Sequence, residues 1–213
     1  MTTRGEQRIA TRQRIVSVAA DLLTSHGPAG TTTLAVQREA GLSRGALLHH
    51  FGSREELLAA AVGQLVERNR RAAARAIADA DAEDLVDRAL DALAKTVIRP
   101  EFSAELGLWA AARADPKLRS ALLQQARTAR GALYEVVDEA FGPTLTAQSS
   151  YHRVASLTVQ FLRGLSIAQT LRDNPSRAES SIKDWAIVVR AALAADILPN
   201  SSERSRPAKG STS

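Results

Sequence analysis

An all-α fold is predicted for this chain, and three observations predict it. Apolar residues recur three and four positions apart over long stretches, the period of one helix face. Alternating runs of β-branched and aromatic residues, which mark strands, are missing; alanine and leucine dominate the apolar set and only 4% of residues are aromatic. Capping and breaking residues stand at the ends of the periodic segments. With 213 residues, 45% of them hydrophobic, the chain can bury one sizeable core or two small ones.

The first helix is expected over 6–26, where Ile15, Val18, Ala19, Leu22 and Leu23 share a face; Gly27 and Pro28 stop it. A short helix over 32–40 opens on Thr32 as its cap. Gly41-Leu42-Ser43 makes a turn, and Ser43 caps a second short helix over 44–51. After Gly52, Ser53 and Glu56 form a Ser-x-x-Glu capping box before Leu57, Leu58, Ala61, Val62, Leu65 and Val66. Further helices are expected over 84–98, ending at Pro100, and over 102–113. Asp115-Pro116 opens the next, which runs to Gly142-Pro143, and two more follow over 147–172 and 176–198. The segment 199–213, rich in serine, proline and charge, is expected to be a disordered tail.

Composition excludes several functions. Without cysteine there are no disulfides, thiolate metal sites or cysteine nucleophiles, which fits a reducing cytosol. The N-terminal residues are polar and arginine-rich, unlike a leader sequence. The most apolar run, 185–195, is interrupted by Arg190 and falls short of the roughly 18–20 residues that span a bilayer. A cytoplasmic protein with no membrane association is expected. No nucleophile–base pair and no phosphate-binding glycine loop is present, so an enzyme is not expected, and no cofactor is implied. Adjacent His49 and His50 diverge on a helix and have no ligand at metal spacing, so no metal site is expected. The net charge is +5, concentrated at one end: residues 1–54 hold seven arginines against three acids, while the rest is nearly neutral. A basic end on a neutral body is the footprint of a polyanion partner.

The segment from Thr31 to Phe51, two short helices about a turn carrying Gly41, has the form of a helix-turn-helix. Val36, Leu42 and Leu47 are placed to fix the angle between its helices, leaving the outer face of the second to enter a major groove. Here the sequence resembles the tetracycline-repressor family. The resemblance rests on Thr31-Thr32, on Arg38-Glu39-Ala40-Gly41-Leu42-Ser43-Arg44-Gly45-Ala46-Leu47, on His49-His50-Phe51, and on Ser53-Arg54-Glu55-Glu56-Leu57-Leu58. It covers about residues 8–65 clearly and the rest only in helix count and order.

The resemblance implies an N-terminal three-helix DNA-binding domain, 1–53, and a C-terminal helical ligand-binding and dimerisation domain, 54–198. It implies a DNA-binding set of Thr32, Gln37, Ser43, Arg44, Gly45, Ala46, Leu48, His49, His50 and Arg54. Arg44 is the residue expected to fork onto guanine or clamp a phosphate. Gly45 and Ala46 let the helix sit deep, and His49 faces phosphates. Thr32 and Arg54 lie at helix N-termini that favour phosphate, and Arg4, Arg8 and Arg12 add non-specific attraction. Two positions depart from the family pattern: Leu48 stands where tyrosine is common, and Gln37 stands where a small residue packs the two helices together.

Between 185 and 195 nearly every position is apolar, and the helix before it offers apolar residues on two faces, so a partner is expected. The resemblance implies that these helices pair with their copies in a four-helix bundle, and the expected interface is Leu162, Ser166, Trp185, Val188, Val189 and Ala192. It also implies an effector pocket, for which Phe102, Leu106, Trp109, Tyr134, Val137 and Phe161 are the expected lining and Glu105, Arg113 or His152 the polar anchors. The function so implied is a repressor released from a palindromic, double-stranded operator by a small, largely hydrophobic molecule. The alternatives are an activator or a ligand-independent DNA binder and, remotely, an enzyme using the same cavity.

Overall fold

The computed structural model describes residues 3–170 and 175–194, and among these there are nine helices and no strand. They are α1 (Arg4–Gly30), α2 (Thr33–Glu39), α3 (Arg44–His50), α4 (Arg54–Ala78), α5 (Leu85–Val97), α6 (Pro100–Ala112), α7 (Pro116–Thr146), α8 (Tyr151–Thr170) and α9 (Pro175–Ala194). The expected tail, 199–213, and the expected end of the last helix lie outside the described residues.

Most boundaries follow from local chemistry. The Thr32, Ser43, Ser53, Asp84 and Asp115 side chains each accept a backbone N–H of the first turn that follows them. Gly27 interrupts α1 at φ +66°, and one further turn through Pro28 follows it.

Four details differ from expectation. Thr3 and Glu6 form a reciprocal capping box that starts α1 at Arg4. At α4 the box is only half closed: Ser53 Oγ accepts from Glu56 N (3.0 Å), but the Glu56 carboxylate accepts from Gly52 N (2.9 Å), one residue earlier than a reciprocal box requires. Pro100, read as a terminator, is the first residue of α6, where its missing N–H costs nothing. The start of the next-to-last helix also moves, because residues 147–150 form turns and α8 begins at Tyr151.

Two apolar clusters organise the chain. The first joins Ile15, Ala19 and Leu23 of α1, Val36 of α2 and Leu47 of α3 to Leu58 and Leu65 of α4, and continues into Leu108 of α6 and Leu122 of α7. The second is built from α5, the second half of α7, α8 and α9, with Leu93, Val137, Phe141, Leu162 and Val189 at its centre. Helix α4 serves both: Leu57 to Leu65 pack in the first cluster and Ala73 in the second. Arg68 of α4 adds an ion pair to Asp21 (2.5 Å) and a hydrogen bond to Ser17 Oγ (3.0 Å) on α1. At α9, Arg190 bridges Asp84 (3.0 Å) and Asp87 (2.5 Å) at the start of α5.

Candidate nucleic-acid interface and interior cavity

The turn between α2 and α3 depends on Gly41, whose φ of +64° would strain any residue carrying a Cβ. Its N–H donates to Arg38 O (3.1 Å) and Leu42 N–H to Gln37 O (3.1 Å), which closes the end of α2. Val36, Leu47 and Phe51 are buried to within 2% and lock α3 against α1 and α4. Full burial of a side chain like Leu47 contributes roughly 1.5–3 kcal/mol, so α3 has a fixed orientation.

Buried Leu47 decides which face of α3 looks outward. Ser43, Arg44, Gly45, Leu48 and His49 are exposed, and Ala46, His50 and Gln37 are partly so. Arg44, Gly45, Leu48 and His49 share one stripe, open to solvent and flanked by no acid of α3. Arg12 lies over the Phe51 ring at 4.6 Å, so this arginine of the N-terminal helix is held against α3's end. Partial burial pushes the His50 imidazole below its usual range, and the nearby His49, Arg8 and Arg12 push in the same direction.

One expected DNA contact is corrected. The Arg54 guanidinium turns inward: Nε donates to Thr31 O (3.1 Å) and Nη2 to Pro28 O. A side chain committed to two carbonyls at the α1–α2 junction is a strut between α4 and the helix-turn-helix, not a phosphate clamp. Thr32 stays exposed at the start of α2, with its oxygen accepting Ala35 N–H at 3.1 Å.

The expected pocket residues scatter. Val137 is wholly buried in the second cluster, Leu106 packs against that cluster, and the Tyr134 hydroxyl meets Ser156 Oγ at 3.4 Å. Phe161 stacks on Trp185 (5.0 Å, 11°) and joins α8 to α9. Arg113 and His152, expected as anchors, are exposed. Of the expected lining only Phe102, and of the expected anchors only Glu105, border the narrow space of about 30 Å³ between α4, α5, α6 and α7. Its walls include Val66, Ala73, Leu133 and Val136, and Asn69, Thr96 and Glu105 are its buried polar residues.

Trp109 reaches the cavity indirectly, through its Nε1–H, which donates to Glu105 Oε1 (3.2 Å); Asn69 Nδ2 donates to Oε2 (3.3 Å). Asn69 was not anticipated, although it continues the inward register of Leu58, Leu65 and Ala72 along α4. A wider cleft of about 470 Å³ lies between α5, α8 and α9, but its charged rim of Asp91, Lys95, Glu179 and Lys183 is solvent-exposed. Among the described residues no cluster of groups suits a metal ion, and no helix is long and apolar enough to cross a membrane.

Burial pushes the Glu105 carboxyl above its usual range, and the donors Trp109 and Asn69 and the charge of Arg163 only partly oppose this. A folded-state acid with a raised pKa binds more protons than the unfolded chain. Its cost is therefore absent below the unfolded pKa and grows as pH rises through the folded one. Glu105→Gln removes that titration while keeping an acceptor for Trp109. Its melting temperature is expected to gain on the native protein as pH rises from about 4.5, and a difference that does not change with pH in thermal melts would contradict it.

The expected dimer face is corrected in part. Leu162, Ser166 and Val189 are buried within the protomer, with Ser166 Oγ 3.1 Å from Ser103 Oγ. Trp185, partly buried, donates to Thr158 Oγ1 at 3.1 Å. Val188 is half exposed and Ala192 partly so. What α8 and α9 leave open is an apolar stripe of Leu157, Ile187, Val188 and Ala191, along a shallow groove of about 400 Å³ whose lining also includes the expected Trp185, Val189 and Ala192.

Residues 15–61 match the family described as bacterial regulatory proteins, tetR family. The HTH-type transcriptional regulator CymR of Pseudomonas putida is 34% identical over 121 residues, 56% of this chain and 60% of CymR. The HTH-type transcriptional repressor AcnR of Corynebacterium efficiens is 38% identical over 56 residues, 26% of this chain and 30% of AcnR. The chain thus matches less than two thirds of the length of these curated relatives. Among solved structures, the multidrug binding protein EbrR complexed with imidazole superposes with a TM-score of 0.64 at 24% identity, covering 88% of this chain and 97% of EbrR.

Proposed function

We propose that this chain, whose residues 15–61 match the tetR family of bacterial regulatory proteins, is a dimeric transcriptional repressor of that family, released from a palindromic operator by a small, largely hydrophobic molecule. The observation that carries this reading is the open stripe of Arg44, Gly45, Leu48 and His49 on a helix held rigid by buried Leu47. AcnR, matched over 56 residues, is a repressor by its description, and EbrR has been crystallised with proflavin and with ethidium. In this reading residues 1–53 bind DNA and 54–198 hold the effector and pair the protomers in the cytoplasm.

The proposed dimer forms through α8 and α9, with Leu157, Ile187, Val188 and Ala191 against their copies. A two-fold axis would then present two α3 helices to half-sites roughly one turn of DNA apart. The proposed release works through α4. This helix begins at the Arg54 strut and passes the cavity at Val66, Asn69 and Ala73, so a molecule that parts α4 from α6 and α7 also moves the helix-turn-helix. The effector acts only by binding better to the conformer with misplaced recognition helices.

Selection of bound duplexes from random DNA tests the proposal. The expected result is a recovered site with two inverted half-sites whose centres lie about one helical turn apart, bound with a strong salt dependence. Recovery of no shared sequence, or of a single unpaired half-site, would refute it.

A further inference from the structure

We infer that the α4–α7 cavity is built for a protonated hydrophobic amine, with Glu105 and Asn69 Oδ1 as the two acceptors of its ammonium group. The inference rests on the proposed reading of this cavity as the effector site and adds to it the chemical class of the effector.

The cavity wall is mostly apolar, and its three buried polar residues, Asn69, Thr96 and Glu105, offer acceptors. Glu105 and Asn69 are 8% and 7% exposed, so both polar groups are withdrawn from water. The Asn69 amide orientation is set by its neighbour: only the nitrogen can donate to the carboxylate, so the oxygen is the atom left over. That oxygen is buried and has no hydrogen-bond partner, which costs about 1–3 kcal/mol unless a donor arrives. Thr96, also on the wall, spends its hydroxyl proton on Ala92 O (3.1 Å) and keeps only acceptor capacity.

The carboxylate charge is only partly compensated. Among the described residues no cation lies within ion-pair distance of Glu105; Arg163 of α8 influences it only from farther away. The one cation on the cavity wall, Arg70, is exposed at the rim and its Nε is held by Glu67 at 3.1 Å. A neutral ligand would leave the carboxylate unpaired, and an anionic one would add repulsion to desolvation. An ammonium group donates to both acceptors at once and supplies the missing charge, while its hydrocarbon part lies along Phe102, Leu133 and Val136. The space of about 30 Å³ holds little more than a water molecule, so such a guest enters only by parting the helices.

Three molecules of nearly one shape test this: 4-phenylbutylamine, 4-phenylbutanol and 4-phenylbutyrate, titrated calorimetrically into the full-length protein at pH 7. The amine is expected to bind about tenfold or more tightly than either of the others. Glu105→Gln is expected to remove that preference, weakening the amine about tenfold while leaving the alcohol nearly unchanged. Ala132→Phe, which fills the cavity from α7 and leaves both acceptors in place, is expected to abolish amine binding, and it decides the matter should Glu105→Gln fail to fold.

Equal binding of amine and alcohol, tighter binding of the carboxylate, no binding by any of the three, or amine binding unaffected by these variants would each overturn the inference. Release of a selected DNA duplex is measured in parallel. Charge-selective amine binding without DNA release upholds the ligand class and refutes the effector reading. Release by the alcohol or the carboxylate, lost in Ala132→Phe, does the reverse.

Discussion

Ile187→Glu is expected to convert the proposed dimer to monomers and to weaken binding to a duplex with two half-sites by about a hundredfold or more. Ile187 is 65% exposed in the protomer and flanked by Val188 and Leu157, so the substitution leaves no cavity and removes no internal contact of weight. In a two-fold interface through α8 and α9 the same change buries two carboxylates side by side. Each costs several kcal/mol of desolvation, and they repel one another. A monomer retains one α3 and one half-site, and the loss of the linked second contact makes the effect on DNA large. Sedimentation at micromolar concentration, circular dichroism and operator binding check the three parts. A helical protein that still sediments as a dimer would show that α8 and α9 pair through another face.

Arg44→Ala is expected to cost about 1–3 kcal/mol of sequence-specific binding per half-site, with helicity and dimerisation unchanged. Arg44 is exposed at the first turn of α3, and no ion pair engages it among the described residues. Its removal therefore acts on the complex and not on the fold. Arg44→Lys separates two roles. It keeps the charge that attracts phosphate and loses the planar fork that reads guanine. If lysine restores affinity at fixed salt for all sequences alike, Arg44 is a phosphate contact. If lysine behaves as alanine does at one base pair only, Arg44 is the reader of that pair. Unchanged affinity in Arg44→Ala would remove this residue from the interface.

Local chemistry carried much of the fold. Caps such as Ser43 and Asp84 satisfy backbone donors within a few residues of themselves, and Gly41 meets a conformational demand of its own residue, so each is visible in a short window of sequence. The α3 stripe was legible for the same reason: once Leu47 is inside, the helical period places Arg44 and His49 outside. Arg54 was misread because its partners, Pro28 O and Thr31 O, stand more than twenty residues away and carry no side-chain signature. Ser166 and Leu162 were misassigned for a related reason. Helix α8 has apolar residues on two faces, and periodicity finds the faces without saying which one meets α6 and α9 and which meets solvent.

The cavity is the extreme case. Aromatic residues are reasonable candidates for any pocket, yet a pocket is defined by what four helices leave unfilled, and Phe161 and Val137 proved to be packing. What the amino-acid order determined alone was the helices, their caps and the outward face of α3, because those depend on neighbours three or four positions apart. Tertiary packing decided that Arg54 braces the helix-turn-helix, that Asn69 and Glu105 meet beside a narrow space, and that Ile187 and not Val189 is left uncovered. These outcomes depend on which surfaces touch across the bundle, and contact between distant segments is set by the simultaneous fit of all the helices.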